Sequence, residues 1–235
     1  GYVIAPEAGS RVGNERAFLK PGGPYGHYTV DAHWALLNSP ILADCFGFDE
    51  LSAEAQELPG GTGARGLSAV HALCNACGHR ALNLPYAYVQ GVQNARSLRW
   101  QWDIHLLVQA LTEADWCRLD ALARAKSLCG ILSDSLDVAM VEFGSPVPEA
   151  VLAGWRVMAK HERIRMQWFA SWPRFQWRQF LASADSTAGR LQWLGQRLWP
   201  DVEAMRQRYG KPGEPGWRIL WRRLGVGLRR LFSGF

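Results

Sequence analysis

The residues most suggestive of chemistry lie in GPYGHYTVDAHWALL, residues 23–37. Strand side chains alternate with period two, so an extended reading puts His27, Thr29, Asp31 and His33 on one face and Tyr28, Val30, Ala32 and Trp34 on the other. A carboxylate between imidazoles can ligate a metal or move a proton. A half-buried edge strand with a wet polar face produces the same pattern without any chemistry. The expectation is that the apolar face packs on the rest of the protein while Asp31 faces a site, with His33 beside it. A metal site at His27, Asp31 and His33 is a more remote alternative.

Three other runs resemble functional motifs. Gly61-Thr-Gly63-Ala-Arg-Gly66 spells the dinucleotide fingerprint, but SAEAQELP before it is polar and ends in proline where a buried strand is required, so a surface connection is expected. HALCNACGH places His71, Cys74, Cys77 and His79 within nine residues. On a helix these ligands do not converge, and Leu67, Val70, Leu73, Cys74, Cys77 and Ala81 trace an apolar stripe instead, with cysteine acting as a small hydrophobe. In SLRWQWDIHLLVQAL, Leu98, Trp102, Leu106 and Gln109, with Trp100, Ile104, Leu107 and Leu111, suggest a broad buried helix face. Asp103 then becomes a buried or cleft-facing acceptor in search of a partner such as Arg99 or His79.

The elements that must position these groups follow from periodicity and punctuation. Residues 1–26 read as Gly- and Pro-rich loop with at most one short strand; the Asp31 strand follows and Pro40 stops it. From residue 41 the pattern is helical, with segments near 48–57, 67–82, 96–111, 113–128, 131–143, 147–170, 174–198, 201–208 and 216–232. Thr112, with Glu113 and Asp115 behind it, marks a helix start, Gly130 and Gly144 mark stops, and Pro146 and Pro148 open the next helix. The expected class is α+β, predominantly α: a short N-terminal strand followed by a helical bundle. Its divisions are 1–40, 41–210 and a basic amphipathic tail, 211–235. A lone strand needs a partner for its backbone groups, and few segments of this chain suggest one.

Composition sets outer bounds. The 235 residues are 48% apolar and 20% charged, which excludes the disordered class. The five cysteines lack the dense spacing of a stapled secreted domain, and no long apolar run or leader pattern is visible, so a cytoplasmic setting is expected. The formal charge of +5 owes much to Arg222, Arg223, Arg229 and Arg230 in GWRILWRRLGVGLRRLFSGF. There Trp217, Leu220, Trp221, Leu224, Leu228 and Leu231 share a face, suited to docking on the bundle or to an anionic membrane surface.

Taken in order, VDAHWALL, LSAVHALCNACGHRALN, LRWQWDIHLLVQAL, TEADWCRL, LDVAMVEFGSPVPEAV and WPDVEAMRQRYG resemble a bacterial nucleotidyltransferase family of the DNA polymerase β-like superfamily, commonly found in exopolysaccharide loci. The resemblance runs over nearly the whole chain. It implies a small sheet presenting three carboxylates to Mg²⁺, and transfer of a nucleotidyl group from a nucleoside triphosphate to an unknown acceptor. On this basis Asp31, in Asp-x-His-Trp, is the third metal-binding carboxylate and His33 its neighbour in catalysis, while His79 lies on a helix behind the nucleotide site. No nucleic-acid partner is implied. The family's lysine-glycine segment and Asp-x-Asp strand have no counterpart here, which implies the C-terminal portion of such an enzyme, inactive by itself. The alternative is a non-catalytic helical module that docks on a polysaccharide-assembly partner or an anionic membrane surface, possibilities its basic tail keeps open.

Overall fold

The computed structural model describes residues 2–4, 15–22, 26–61, 63–90, 98–182 and 214–222, with positions 191, 195 and 225, and only the backbone at 4, 15 and 86–90. Its strands are β1 (Val3–Ile4), β2 (Glu15–Pro21), β3 (His27–His33), β4 (Gln56–Glu57) and β5 (Arg65–Gly66). Its helices are α1 (Phe48–Ala53), α2 (Ala69–Gln90), α3 (Leu98–Gln109), α4 (Glu113–Lys126), α5 (Cys129–Phe143), α6 (Glu149–Met158) and α7 (Trp172–Ala182), and residues 216–222 are helical as well. The protein is thus α+β and predominantly α, as its periodicity implied.

The chain divides into two compact units: Gly1–Val12, Arg16–Asp31 and Ser183–Phe235 form one, and Gly13–Glu15 with Ala32–Ala182 the other. In the first, a three-stranded sheet has the order β1-β2-β3, with β1 antiparallel to β2 in the register Val3↔Leu19 and Ile4↔Phe18. The partner strands that the sequence seemed to lack are therefore the segments read as loop. ERAFLKP alternates too weakly to stand out, and the hydrogen bond from Gly22 N–H to Gly26 O closes the turn that pairs it with β3. All seven residues of β3 are exposed. This corrects the expected packing of its apolar face: Tyr28 and Val30 stay in solvent, as does Trp34 just beyond the strand.

In the second unit α5 is the central element. Cys129, Gly130, Ile131, Leu132, Ser133, Ser135, Leu136 and Ala139 are buried and together cover well over half its circumference, as expected of a helix packed against α2, α3 and α6. Pro148 precedes α6, and α4 opens on a capping box in which Thr112 accepts from Asp115 N–H while the Asp115 carboxylate accepts from Thr112 N–H. The Thr112 hydroxyl and backbone N–H hold the Asp115 carboxyl below its ordinary value. Gly144 ends α5 in the left-handed conformation as anticipated, but Gly130 does not end α4. Ser127 does so, at φ 58°, and Gly130 sits buried in the first turn of α5. The helix expected over 147–170 stops at Met158 and a 3₁₀ turn forms at Met166–Trp168. Helix α2 continues beyond its expected end through Pro85 to Gln90. Gly78 leaves room on α2 for Leu37, whose Cδ1 would lie 2.6 Å from a Cβ at that position.

Candidate functional site

Asp31 sits near the end of β3, two positions from Thr29, four from His27 and two from His33, so His27, Thr29, Asp31 and His33 share one strand face. Among the described residues β3 is an edge strand, and its exposure on both faces makes the Asp31 carboxylate accessible. Asp31 belongs to the first unit and His79, on α2, to the second. His79 lies flat against Trp100 of α3, ring centres 5.6 Å apart and planes 9° from parallel. No three His, Cys, Asp or Glu side chains among the described residues come together as a metal site, so His27, Asp31 and His33 do not form one. Asp31 is a single hard-oxygen ligand. These residues do not by themselves fit the paired magnesium ions that the family resemblance implies.

The other candidate motifs are accounted for by packing. HALCNACGH runs through unbroken helix with Cys74 and Cys77 buried, and burial pushes the Cys77 thiol up to about 12 and the Cys74 thiol well above its ordinary value. Gly61-Thr-Gly63-Ala-Arg-Gly66 spans the β4–β5 hairpin, where Gln56 pairs with Gly66 and Glu57 with Arg65. Positive φ at Gly60, Gly61 and Gly63 is what glycine supplies there. The described residues of this run belong to a two-stranded turn whose preceding strand, β4, is exposed and not the buried strand that a phosphate site requires. Of the basic tail, only part lies within the described residues. Trp217 and Trp221 are exposed, whereas the buried residue is Ile219, which the expected apolar face does not include. Leu224, Leu228 and Leu231 fall outside the described residues.

A serine, a histidine and carboxylates do converge at the start of α2. The Ser68 hydroxyl lies 3.0 Å from His71 Nδ1, with Glu54 Oε2 3.4 Å from the same nitrogen and Glu50 Oε1 3.9 Å from Nε2. A nucleophile must reach its substrate, but Ser68 and His71 are both buried, and the Ser68 oxygen accepts the His71 backbone N–H at 3.4 Å. The set is a helix cap buttressed by Phe46, not a hydrolytic triad.

Helix α3 differs most from its sequence reading. Its buried residues are Gln101, Ile104, His105 and Val108, whereas Leu98, Trp102 and Leu106 are 62%, 47% and 45% exposed. Asp103 is also exposed, so the buried polar group is His105. Gln109 Nε2 donates to His105 Nε2 at 3.1 Å, which leaves the proton on Nδ1 to be donated to Ser145 Oγ at 2.9 Å. Ser145 in turn donates to Ala139 O at 3.0 Å. Both ring nitrogens are satisfied, and Trp102 and Phe143 pack on the ring. His105 is a structural tie between α3 and the end of α5.

Two buried charged residues escaped the sequence reading. Glu162 accepts the backbone N–H groups of Cys129 and Gly130 at 2.7 and 2.9 Å, capping α5 from another part of the chain. Burial and the neighbouring Glu162 raise the Cys129 thiol to about 12. Arg80 reaches across from α2 to α5, donating through Nη1 to Asp134 Oδ2 at 2.6 Å and Ser135 Oγ at 3.2 Å. Only Gln101, at helical spacing from Ile104, His105 and Val108, had a signal in the sequence. No family model, curated protein or solved structure matches the chain.

Proposed function

We propose that this chain carries the third-carboxylate strand and the helical domain of a magnesium-dependent nucleotidyltransferase acting on a nucleoside triphosphate and a second, acceptor substrate. The observation that carries the reading is the position of Asp31: an exposed carboxylate on what is, among the described residues, an edge strand of a small antiparallel sheet. An edge strand has a row of backbone N–H and C=O groups to which a further strand can pair, and the Asp-x-Asp strand absent from this sequence needs such a partner. His33, on the same face as Asp31, would donate a hydrogen bond to a phosphate oxygen. One carboxylate does not hold a metal pair, so transfer by these residues alone is not expected.

Calorimetric titration of ATP, GTP, CTP and UTP with magnesium into this chain and into an upstream-extended gene product tests the reading. The extended protein should bind at least one nucleotide in a magnesium-dependent way, and Asp31→Ala in that protein should weaken binding about tenfold or more, roughly 1.4 kcal/mol. Absence of binding to the extended protein would overturn the assignment.

A second reading is favoured by the tail. Trp217 and Trp221, one helical turn apart, are both exposed, and the Arg218 guanidinium lies 5.2 Å from the centre of the Trp217 ring. Aromatic rings beside cations suit an anionic lipid surface, so this reading makes the chain a helical module peripheral to the cytoplasmic face of the inner membrane. The nucleotidyltransferase reading places it in the cytoplasm. On flotation with phosphatidylglycerol-containing vesicles, the chain should co-migrate and a form ending at Gly213 should not; equal behaviour of the two rejects the membrane reading.

A further inference from the structure

The stretch from Lys160 to Ala182 is strongly one-sided in charge. It contains Lys160, Arg163, Arg165, Arg174 and Arg178 against a single acid, Glu162, which is buried and spent on the start of α5. Part of this stretch folds into a recess. Gln167 and Trp168, from the turn at Met166–Trp168, and Arg174, Trp177 and Arg178, from α7, line an open pocket of 330 Å³ within the second unit. That volume lies at the lower end of the range for small-molecule sites, about 300–1,000 Å³. No Asp or Glu is among the described residues that line it. Arg174, Trp177 and Arg178 are three and four residues apart, so α7 presents them on one face.

Arg178 is half-buried, its guanidinium carbon 4.2 Å from the centre of the Trp168 ring. Stacking covers a face of the guanidinium plane and leaves its N–H donors, which lie in that plane, for a partner at the edge. Arg174 stands exposed one turn earlier. Arg80, Arg118, Arg124 and Arg156 are each ion-paired to a carboxylate, but among the described residues neither Arg174 nor Arg178 is. Two neighbouring cations repel, and an anion between them removes that repulsion. Trp177 lines the same recess, 59% exposed, with Phe180 tilted against it at 5.4 Å, so ring surface stays open there.

The recess thus offers two positive charges and an open aromatic face. A carboxylate brings one charge to it and no ring. An anionic lipid surface selects a continuous apolar face, whereas the apolar side of α7, with Phe175, is turned into the core and only Trp177 and Leu181 stand outward among the arginines. A phosphate monoester carries about 1.5 to 2 negative charges near pH 7 and accepts paired hydrogen bonds from arginine. A nucleobase stacks on an aromatic side chain whichever base it is. We propose that this recess binds a nucleoside monophosphate group, its phosphate between Arg174 and Arg178 and its base on Trp177, with the Gln167 amide at the base edge. A free mononucleotide and the 5′-phosphorylated end of a single strand share that chemistry. The site is independent of the nucleotidyl-transfer reading and draws on none of its residues.

The test is ligand-observed NMR titration of the full chain in EDTA, which suppresses any magnesium-dependent site. The probes are AMP, GMP, CMP and UMP, with adenosine and ribose 5-phosphate as partial ligands, and hexa-adenylate with a 5′-phosphate or a 5′-hydroxyl. At least one mononucleotide should bind with a Kd of about 1 mM or below. Adenosine and ribose 5-phosphate should each bind about tenfold more weakly. Arg174→Ala should weaken the nucleotide and ribose 5-phosphate about tenfold, whereas Trp177→Ala should weaken the nucleotide about tenfold and leave ribose 5-phosphate unchanged. Both positions are exposed, and circular dichroism checks that each variant is folded. Tighter binding of the 5′-phosphorylated strand than of AMP assigns the site to a strand end, and the reverse assigns it to the free nucleotide. Binding of no mononucleotide, ribose 5-phosphate as tight as the nucleotides, or undiminished binding by either folded variant overturns the proposal. Absent nucleotide binding, co-flotation with phosphatidylglycerol vesicles that Trp177→Ala abolishes would make this face a lipid contact instead. Each of those failures leaves the Asp31 reading intact, because that site requires magnesium.

Discussion

At the start of α5 the residue preceding the helix is Leu128, which has no side-chain oxygen to accept the free N–H groups of the first turn. Glu162 supplies both oxygens from 32 and 33 residues away, and at Gly130 a Cβ would come within 3.4 Å of that carboxylate and of Ala159 Cβ. Glu162→Ala therefore leaves two buried donors without an acceptor and should destabilise the protein by about 2–4 kcal/mol in urea unfolding. Glu162→Gln keeps one accepting oxygen and should lose about half as much. An alanine variant as stable as the parent would show that solvent caps this helix equally well. Asp31 illustrates the opposite case: the sequence identified the residue and its strand, yet the burial expected of the neighbouring apolar face did not follow, because strand alternation fixes which side chains share a face but not what covers it.

Among the elements, α3 tests how far periodicity can be trusted. Its dense apolar content supports two overlapping stripes about one residue apart on the helical wheel. The sequence reading merges them into one broad face, through Leu98, Trp102 and Leu106 on one side and Ile104 on the other; the fold buries Ile104 as read, with Gln101, His105 and Val108, but leaves Leu98, Trp102 and Leu106 exposed. The satisfied hydrogen bonds of His105 explain how a polar group can occupy the inner face. Truncation distinguishes the two orientations: Ile104→Ala should cost about 2–5 kcal/mol, while Leu106→Ala should cost less than about 1 kcal/mol. Equal losses in thermal or urea unfolding would restore the face read from the sequence.

Over the whole molecule, four buried thiols link the core to pH. Burial raises Cys45 to about 11 and Cys77 and Cys129 to about 12 from an ordinary 9.0, and raises Cys74 in the same direction. The folded chain therefore keeps protons that the unfolded chain releases once pH exceeds about 9, and stability must fall as pH rises through that window. The slope approaches about 1.4 kcal/mol per pH unit for each thiol that differs between the two states. Urea unfolding between pH 8 and 10.5 should show this decline, and Cys129→Ala should make it shallower; a flat profile would contradict the protonated-thiol core. Among the described residues, no helix is long and apolar enough to cross a membrane.

The sequence by itself determined the class of the fold, most helix starts, the capping box at Thr112 and the left-handed stop at Gly144, because each depends on side chains within one or two turns of one another. It also singled out Asp31, His33 and His79 through a resemblance carried by ordered motifs. Only the tertiary structure decided that β2 pairs with β3, that Gly130 begins a helix, that α3 buries Gln101 and His105 beside Ile104 and Val108, and that Arg80 and Gln101 line one cleft. Those outcomes depend on partners remote in sequence, Glu162 for Cys129 and Gly130, Asp134 for Arg80, Ser145 for His105. A hydrogen bond across 32 to 54 residues is set by packing, and local periodicity has no access to it.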